Sequence, residues 1–151
     1  MPHLVYERPI RIHFGDCDPA GIVYHPHYYA LINMFHEDFL HEVGNVGFIE
    51  IRKFGVGFPV VGIRTDFTAP SRPGDLCTGK VWIEKMGRSS IRFAFEVTCG
   101  EEVRLRAIET MVCVKLDEKG DFVSYPIPDN IREAFKPYLI EEGDPLLELR
   151  A

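Results

Sequence analysis

The segment from Tyr28 to Val43 constrains the fold more than any other part of this 151-residue chain. Its apolar residues recur at spacings of three and four, which places them along one stripe of an α-helix. The stripe consists of Tyr28, Ile32, Phe35, Phe39 and Val43. Pro26 suits the first helical position, where its missing N–H costs nothing, and Gly44 can end the helix. The sequence therefore predicts one long helix whose apolar side is covered by other elements.

A short polar segment, GDCDPAG from Gly15 to Gly21, comes just before this helix. It holds two carboxylates, Asp16 and Asp18, among residue types that form tight turns. The first backbone N–H groups of a helix lack partners within the helix and carry partial positive charge, so they can bind an oxyanion. A carboxylate beside such a site is the minimal equipment for cleaving an acyl bond.

The composition is that of one globular domain, with 46% hydrophobic and 26% charged residues. A net charge of −6 argues against a general nucleic-acid binder. No apolar run approaches the roughly 20 residues that span a bilayer, and the start lacks the features of a signal peptide. We therefore expect a cytoplasmic protein that binds neither nucleic acid nor membrane. Reduced thiols are expected there for the four cysteines, which lack CxxC spacing: Cys17, Cys77, Cys99 and Cys113.

The rest of the chain predicts an antiparallel sheet. The clearest pattern of alternating apolar and polar residues runs from Ile91 to Cys99 and is typical of a strand with one buried face. Short helices are predicted within 45–55 and over 128–138, and strands over 6–14, 57–67, 76–86, 91–99 and 103–116. This order gives an α+β fold in a single domain over 1–151, with a core at about 6–139 and an acidic tail at 141–151.

The run from Gly15 to Tyr28, GDCDPAGIVYHPHY, closely resembles the signature of the 4-hydroxybenzoyl-CoA thioesterase family. The resemblance implies a hot-dog fold, in which an antiparallel sheet of about five strands wraps around one long central helix. It also implies an acyl-CoA thioesterase that releases a free acid and coenzyme A, with an aromatic, hydroxybenzoyl-like acyl group favoured. Coenzyme A is then part of the substrate, and no cofactor or metal is expected. A homo-oligomer, dimer or tetramer, is implied, with each active site completed by a neighbouring subunit.

The resemblance also implies roles for individual residues. Asp18 matches the family's Asp before Pro-Ala-Gly, which attacks the thioester or activates a water. On residue type alone, a turn-capping side chain is the favoured interpretation of Asp18, and the full motif reverses that preference. The backbone N–H of His25, just before Pro26, matches the family's oxyanion donor. The His25 side chain either polarises the carbonyl or orients water, or it is a structural histidine. Asp16 is interpreted as a residue that shapes the loop.

Further residues are predicted to bind the substrate. Gly21 supplies backbone freedom near the thioester. The acyl pocket is predicted to be lined by Tyr24, His27, Tyr28 and Asn33, with core packing as the alternative for Tyr28. Related sequences often carry an acid at the position of Asn33. The turn that receives the coenzyme A phosphates is predicted at Arg88, Ser89 and Ser90, with Arg72 as a weaker candidate and an ordinary polar hairpin as the alternative.

Other chemistries fit the sequence less well. The two His of His25-Pro26-His27 are spaced by two, whereas two ligands on one helical face need a spacing of four, so a metal site is disfavoured. Two flanking acids disfavour a Cys17 thiolate nucleophile. Two further functions stay open: a thioesterase for short- or medium-chain aliphatic acyl-CoA or acyl-carrier protein, and a CoA-binding protein of this fold without turnover.

Overall fold

The structure, a computed structural model, describes residues 3–44 and 55–140. The short helix predicted from Phe48, Ile49, Ile51 and Phe54, and the acidic tail at 141–151, lie outside the described residues. None of the helices in the described ranges is long and apolar enough to cross a membrane.

Two antiparallel sheets and two helices make up the described chain. The larger sheet has the order β1-β4-β5-β6-β3 and contains β1 (Tyr6–Arg11), β3 (Val60–Phe67), β4 (Leu76–Met86), β5 (Ser90–Cys99) and β6 (Glu102–Val112). The smaller sheet has the order β2-β7-β8 and contains β2 (Val56–Gly57), β7 (Val114–Leu116) and β8 (Phe122–Ser124). The helices are α1 (His27–Gly44) and α2 (Asp129–Phe135), with 3-10 turns at Phe14–Asp16 and Lys136–Tyr138.

The predicted α+β class and five-stranded antiparallel sheet are confirmed. The prediction of one long central helix is not confirmed, because α2 also enters the core with Ile131 and Phe135 fully buried. The predicted strand over 103–116 is wrong in one respect, since the chain breaks at Cys113 and β7 joins the smaller sheet. At the break, the Cys113 N–H donates to the Ser89 carbonyl at 2.6 Å, next to the last β5–β6 pair, while the Cys113 carbonyl accepts the Tyr125 N–H at 2.9 Å, so this residue bonds to both sides of the transition.

Helix α1 packs on the sheet through its predicted stripe. Tyr28, Ile32, Phe35 and Phe39 are buried, and each fully buried side chain of this size contributes about 1.5–3 kcal/mol. The Phe35 ring makes edge contacts with Tyr6 and Phe95 at centroid distances of 5.5 and 5.3 Å. It lies over Gly79 of β4, where an added Cβ would come within 2.6 Å of the ring. This glycine lets the helix approach the sheet closely.

The two edges of the larger sheet differ in chemistry. Strand β1 carries charged side chains and Pro9, which has no N–H to offer a further strand. Strand β3 exposes apolar side chains, with Val61 61%, Ile63 38% and Phe67 46% accessible. Ile63 and Phe67 pair with the buried Glu109 and Leu105 and share a face of the sheet, while Val61 lies at a shift in the pairing register. The β3 edge therefore exposes more apolar side chains than the β1 edge and is the one that favours contact with another chain.

The two ends of the sheet carry different candidate residues. Helix α1 begins beside the end where Phe67 pairs with Leu105, because the Phe67 ring lies 5.9 Å from the His25 ring. The turn from Gly87 to Ser89 lies at the other end, between β4 and β5. Strand β5 has ten residues, so the two ends are separated by about 30 Å.

Candidate active site

The polar loop before α1 is organised by Asp16. Its Oδ2 accepts the His13 N–H at 2.8 Å, and its Oδ1 lies 2.8 Å from Nε2 of His27. The Asp16 backbone carbonyl accepts the Tyr24 N–H at 3.0 Å. The interpretation of Asp16 as a loop-shaping residue is confirmed by these bonds. The ring of His27, which is predicted to line the acyl pocket, is hydrogen-bonded to Asp16.

Asp18 and Gly21 form the tight turn of this loop. The Asp18 carbonyl accepts the Gly21 N–H at 2.9 Å, and Asp18 Oδ1 accepts the Ala20 N–H at 2.8 Å. This is the turn-capping geometry open to any Asp. The hydrogen bonds among the described residues leave Asp18 Oδ2 unused. Gly21 has φ +80°, a conformation that L side chains rarely adopt, so the turn requires glycine here.

The start of α1 offers a free amide. The carbonyls of Tyr24, His25 and Pro26 accept hydrogen bonds from the N–H groups three residues further along the chain. These donors are His27, Tyr28 and Tyr29, respectively. Within the described part of the chain, the His25 N–H itself has no acceptor. A free N–H at a helix start is the arrangement that stabilises a developing oxyanion.

A cavity of about 400 Å³ adjoins this amide. It is lined by the loop, by α1 and by the segment after β3, including His25, Tyr28, Phe67 and Ser71. Burial raises the pKa of the Tyr28 hydroxyl, so this group stays protonated at neutral pH. Tyr24 lies outside the cavity lining and is 53% exposed.

Asp18 and Gly21 line a neighbouring cavity of about 290 Å³, together with Phe14, Cys17 and Pro73. Burial raises the pKa of the Cys17 thiol, and the Asp16 and Asp18 carboxylates raise it further. The thiol is therefore a poor nucleophile at neutral pH. The structure thus brings Asp18 together with Gly21 in one cavity, and His25 together with Tyr28 in another, and the loop before α1 contributes to the lining of both.

The wall of the His25 cavity is fixed by an ion pair. Arg104 Nη1 lies 2.8 Å from Asp75 Oδ2 and donates to the Pro70 carbonyl at 2.9 Å. The guanidinium lowers the pKa of the Asp75 carboxyl below its usual range, and the Arg72 N–H, which donates to the same carboxylate, lowers it further. The Ser71 carbonyl accepts the Val23 N–H at 2.9 Å, which joins this wall to the polar loop before α1.

Asn33 lies elsewhere, in a third cavity of about 220 Å³. This cavity is lined by Asn33, His36, Glu37, Leu40, Gly57, Phe58 and Met111. His36 is buried, and its Nδ1 lies 2.9 Å from Oε1 of the buried Glu109 on β6. The sequence analysis missed both residues of this pair. A signal was available, because Glu109 occupies an inward position between Ala107 and Met111 on an otherwise apolar strand face.

The turn predicted to bind the coenzyme A phosphates lies at one end of the sheet, and the polar loop before α1 lies at the other. Arg88 is exposed there, and its backbone carbonyl accepts the Ile127 N–H at 2.9 Å. The Ser89 hydroxyl accepts a hydrogen bond from the Ser124 hydroxyl at 3.0 Å, and Ser90 begins β5. One subunit alone therefore does not bring this turn next to Asp18. Among residues 3–44 and 55–140, no cluster of three or more His, Cys, Asp or Glu side chains could hold a metal ion.

Comparisons with known proteins agree with the resemblance drawn from the sequence. The family model described as the thioesterase-like superfamily matches residues 12–135. The chain is 28% identical to the 1,4-dihydroxy-2-naphthoyl-CoA hydrolase of Nostoc punctiforme over 130 residues, which cover 83% of this chain and 82% of that protein. It is 26% identical to the acyl-CoA thioester hydrolase YbgC of Escherichia coli, over 76% of this chain and 85% of that protein. The solved structure of 4-hydroxybenzoyl-CoA thioesterase from a Pseudomonas species matches with a TM-score of 0.77 and 26% identity, over 86% of this chain and 98% of that one.

Proposed function

Because this chain belongs to the thioesterase-like superfamily and is a thioester hydrolase, we propose that it cleaves an acyl-CoA to the free acid and coenzyme A. The observation that carries the proposal is the unused His25 N–H at the start of α1, on the same loop as the carboxylate of Asp18. A hydrogen-bond donor fixed in place and a fixed carboxylate on one short loop provide what acyl transfer to water needs.

In the proposed reaction, the thioester carbonyl oxygen accepts the His25 N–H. Asp18 Oδ2 either attacks the carbonyl carbon or removes a proton from the water that attacks it. If Asp18 attacks, the bond between the carbonyl carbon and sulfur breaks as an anhydride of the acyl group and Asp18 forms, and water then hydrolyses this anhydride and restores the carboxylate. If water attacks, the same bond breaks directly. In both routes the water provides the hydroxyl group of the free acid and the proton that the coenzyme A thiolate gains. The charge that develops on the carbonyl oxygen is stabilised by the amide and by the helix start, so the reaction needs no cofactor or metal.

The proposed acyl group is a hydroxylated aromatic one. The Nostoc relative is named for a dihydroxynaphthoyl thioester, and the Pseudomonas structure is of an enzyme named for a hydroxybenzoyl thioester. The Escherichia coli relative is named only for acyl-CoA, which keeps aliphatic thioesters as the second candidate. Thiol release from a panel of aromatic and aliphatic thioesters separates the two, since one class is expected to have the higher kcat/KM.

Replacing Asp18 by Asn tests the assigned carboxylate. An Asn side-chain oxygen can still accept the Ala20 N–H, so the turn is retained while the charge is lost. We expect kcat to fall by about 10²–10⁴-fold, the usual contribution of a general base. The matched control is Asp121→Asn at an exposed turn, which should keep the wild-type rate. Wild-type turnover by the Asp18→Asn protein would refute the assignment.

A second copy of the chain is proposed to complete the site through β3. Among the described strands, β3 is the last of the larger sheet, and it exposes Val61 and Ile63, the kind of edge that adds another strand in water. Antiparallel pairing about a two-fold axis would bring the far end of one sheet beside the catalytic loop of the other. Arg88 of the partner subunit would then lie on the side of the cleft where the coenzyme A phosphates leave.

A lysine at the edge tests this pairing. Ile63→Lys should give monomers by analytical ultracentrifugation and should lose thioesterase activity, because it puts a charge into the contact. The control Glu7→Lys places the same side chain on the exposed β1 edge and should leave the oligomer intact. A fully active wild-type monomer would rule out a site shared between subunits.

A further inference from the structure

His36 and Glu109 form a buried polar pair within an apolar core. Their side chains are 3% and 8% exposed, and the His36 ring lies 4.8 Å from the ring of Phe93. One ring nitrogen, Nδ1, is bonded to Glu109 at 2.9 Å. The other, Nε2, is buried and has no hydrogen-bond partner among the described residues. A buried polar atom without a partner is uncommon and calls for an explanation.

The bond to Glu109 determines what the free nitrogen can do. An ionised carboxylate only accepts hydrogen bonds, so Nδ1 of a neutral imidazole donates to it and carries the ring hydrogen. Nε2 then presents a lone pair. A lone pair held in place in a dry environment suits a hydroxyl group, which can donate to it.

The free nitrogen belongs to a residue that lines a cavity. His36 lines the cavity of about 220 Å³ together with apolar side chains, including Leu40, Phe58 and Met111. Asn33 and Glu37 also line it, but both are exposed, so their hydrogen bonds to a ligand would replace bonds to water with little net gain. The buried Nε2 makes no bond to water that a ligand would have to replace. It is therefore the group of this cavity best able to discriminate between ligands with and without a hydroxyl.

We propose that His36, oriented by Glu109, recognises a hydroxyl group on the acyl part of the substrate and so determines which thioesters are hydrolysed. This inference rests on the proposed function and narrows it to acyl groups that carry a hydroxyl at their far end. Glu109 is a positioning residue, since it acts only through the orientation of the ring.

The location of the cavity fits this role. Met111 pairs with Val60 at the end of β3 away from the start of α1. In the antiparallel pairing proposed for β3, the catalytic loop of the second copy lies beside that end. The thioester would then be held by one subunit while the ring hydroxyl is bound by the other.

His36→Asn tests the proposal selectively. The Asn amide nitrogen takes the place of Nδ1 and can still donate to Glu109, while the atom equivalent to Nε2 is lost. The substrates are pairs of aromatic CoA thioesters that differ by one hydroxyl away from the thioester: 3- and 4-hydroxybenzoyl-CoA, each against benzoyl-CoA, and 1,4-dihydroxy-2-naphthoyl-CoA against its 4-deoxy analogue. We expect the wild type to favour the hydroxylated member of at least one pair by about 10–100-fold in kcat/KM. In His36→Asn that ratio should fall to about twofold, because kcat/KM falls much more for the hydroxylated member of the pair than for the deoxy member.

Met111→Leu is the matched control, because it alters the same cavity without changing its polarity and should keep the wild-type ratio. A His36→Asn protein that keeps the ratio, or that loses activity on both members equally, would overturn the role of His36. If this variant does not fold, the proposal is tested on the wild type. Equal kcat/KM values for the two members of every pair would show that the protein does not recognise the hydroxyl. Release of no thiol from any thioester would instead refute the proposed function itself.

Discussion

The close approach of α1 to the sheet predicts a specific sensitivity at Gly79. An alanine Cβ at this position would lie 2.6 Å from Cε2 of Phe35 and 2.7 Å from Cδ1 of Ile10. Carbon atoms in contact normally lie about 3.5–4.0 Å apart, so the ring has to move by about 1 Å. It has little room, because Tyr6 and Phe95 contact it from two sides.

Overpacking of this kind destabilises a core by about 1–3 kcal/mol. The loss of chain entropy that glycine suffers on folding offsets about 0.5–1 kcal/mol of that when alanine replaces it. We therefore expect Gly79→Ala to lower the free energy of unfolding by about 1.3 kcal/mol, the midpoint of that difference, which shifts Tm by about 3–5 °C for a domain of this size. Trp82, the single tryptophan, lies buried in the same strand and reports unfolding in urea by its fluorescence.

The control for this measurement is Gly15→Ala. An added Cβ there meets no atom within 4 Å, and the backbone is not in the left-handed region. Its stability should therefore stay within about 0.5 kcal/mol of the wild type, as for most surface substitutions. If Gly79→Ala were equally neutral, the helix would not be seated against β4 as closely as described.

Three further substitutions have expected outcomes. Gly21→Ala should lower stability by about 1–2 kcal/mol and reduce thiol release, because alanine is strained at φ +80°; unchanged melting and turnover would contradict this. Glu109→Ala should cost about 1–3 kcal/mol in urea titrations, since it strands Nδ1 of His36, and a change below 0.5 kcal/mol would contradict the buried pair. The pKa of Asp75 is lowered by Arg104, so its stabilising contribution is complete above the unfolded pKa of about 3.9 and is lost as pH falls through the lower folded value. Asp75→Asn should flatten that acid-side decline in melting temperature, and an unchanged profile would show that the ion pair does not contribute.

The helices and strands with one solvent-exposed face and one buried face were predictable from the sequence. The stripe of α1 and the alternation of β5 follow from burial of one side, which requires no knowledge of the partner element. The break at Cys113 was not predictable in this way, because Cys113 and Val114 are both buried as the chain passes from one sheet to the other. Two consecutive buried residues disturb the alternation only slightly.

The candidate site was predictable where its residues are close in sequence. Asp16, Asp18 and Gly21 form one loop, and local hydrogen bonds account for its shape. The position of Arg88 relative to this loop depends on the strand order, which periodicity does not contain. The pair of His36 and Glu109 joins residues 73 positions apart, so it needs the packing of α1 on β6.

The unequal edges of the larger sheet limit how large an assembly can grow. A sheet with two adhesive borders could add copies one after another and become a fibre. Here Pro9 and its charged neighbours make one border unreceptive, while in the pairing proposed for β3 the apolar border would be covered once two copies meet across it. Growth by strand addition would then end at a closed pair.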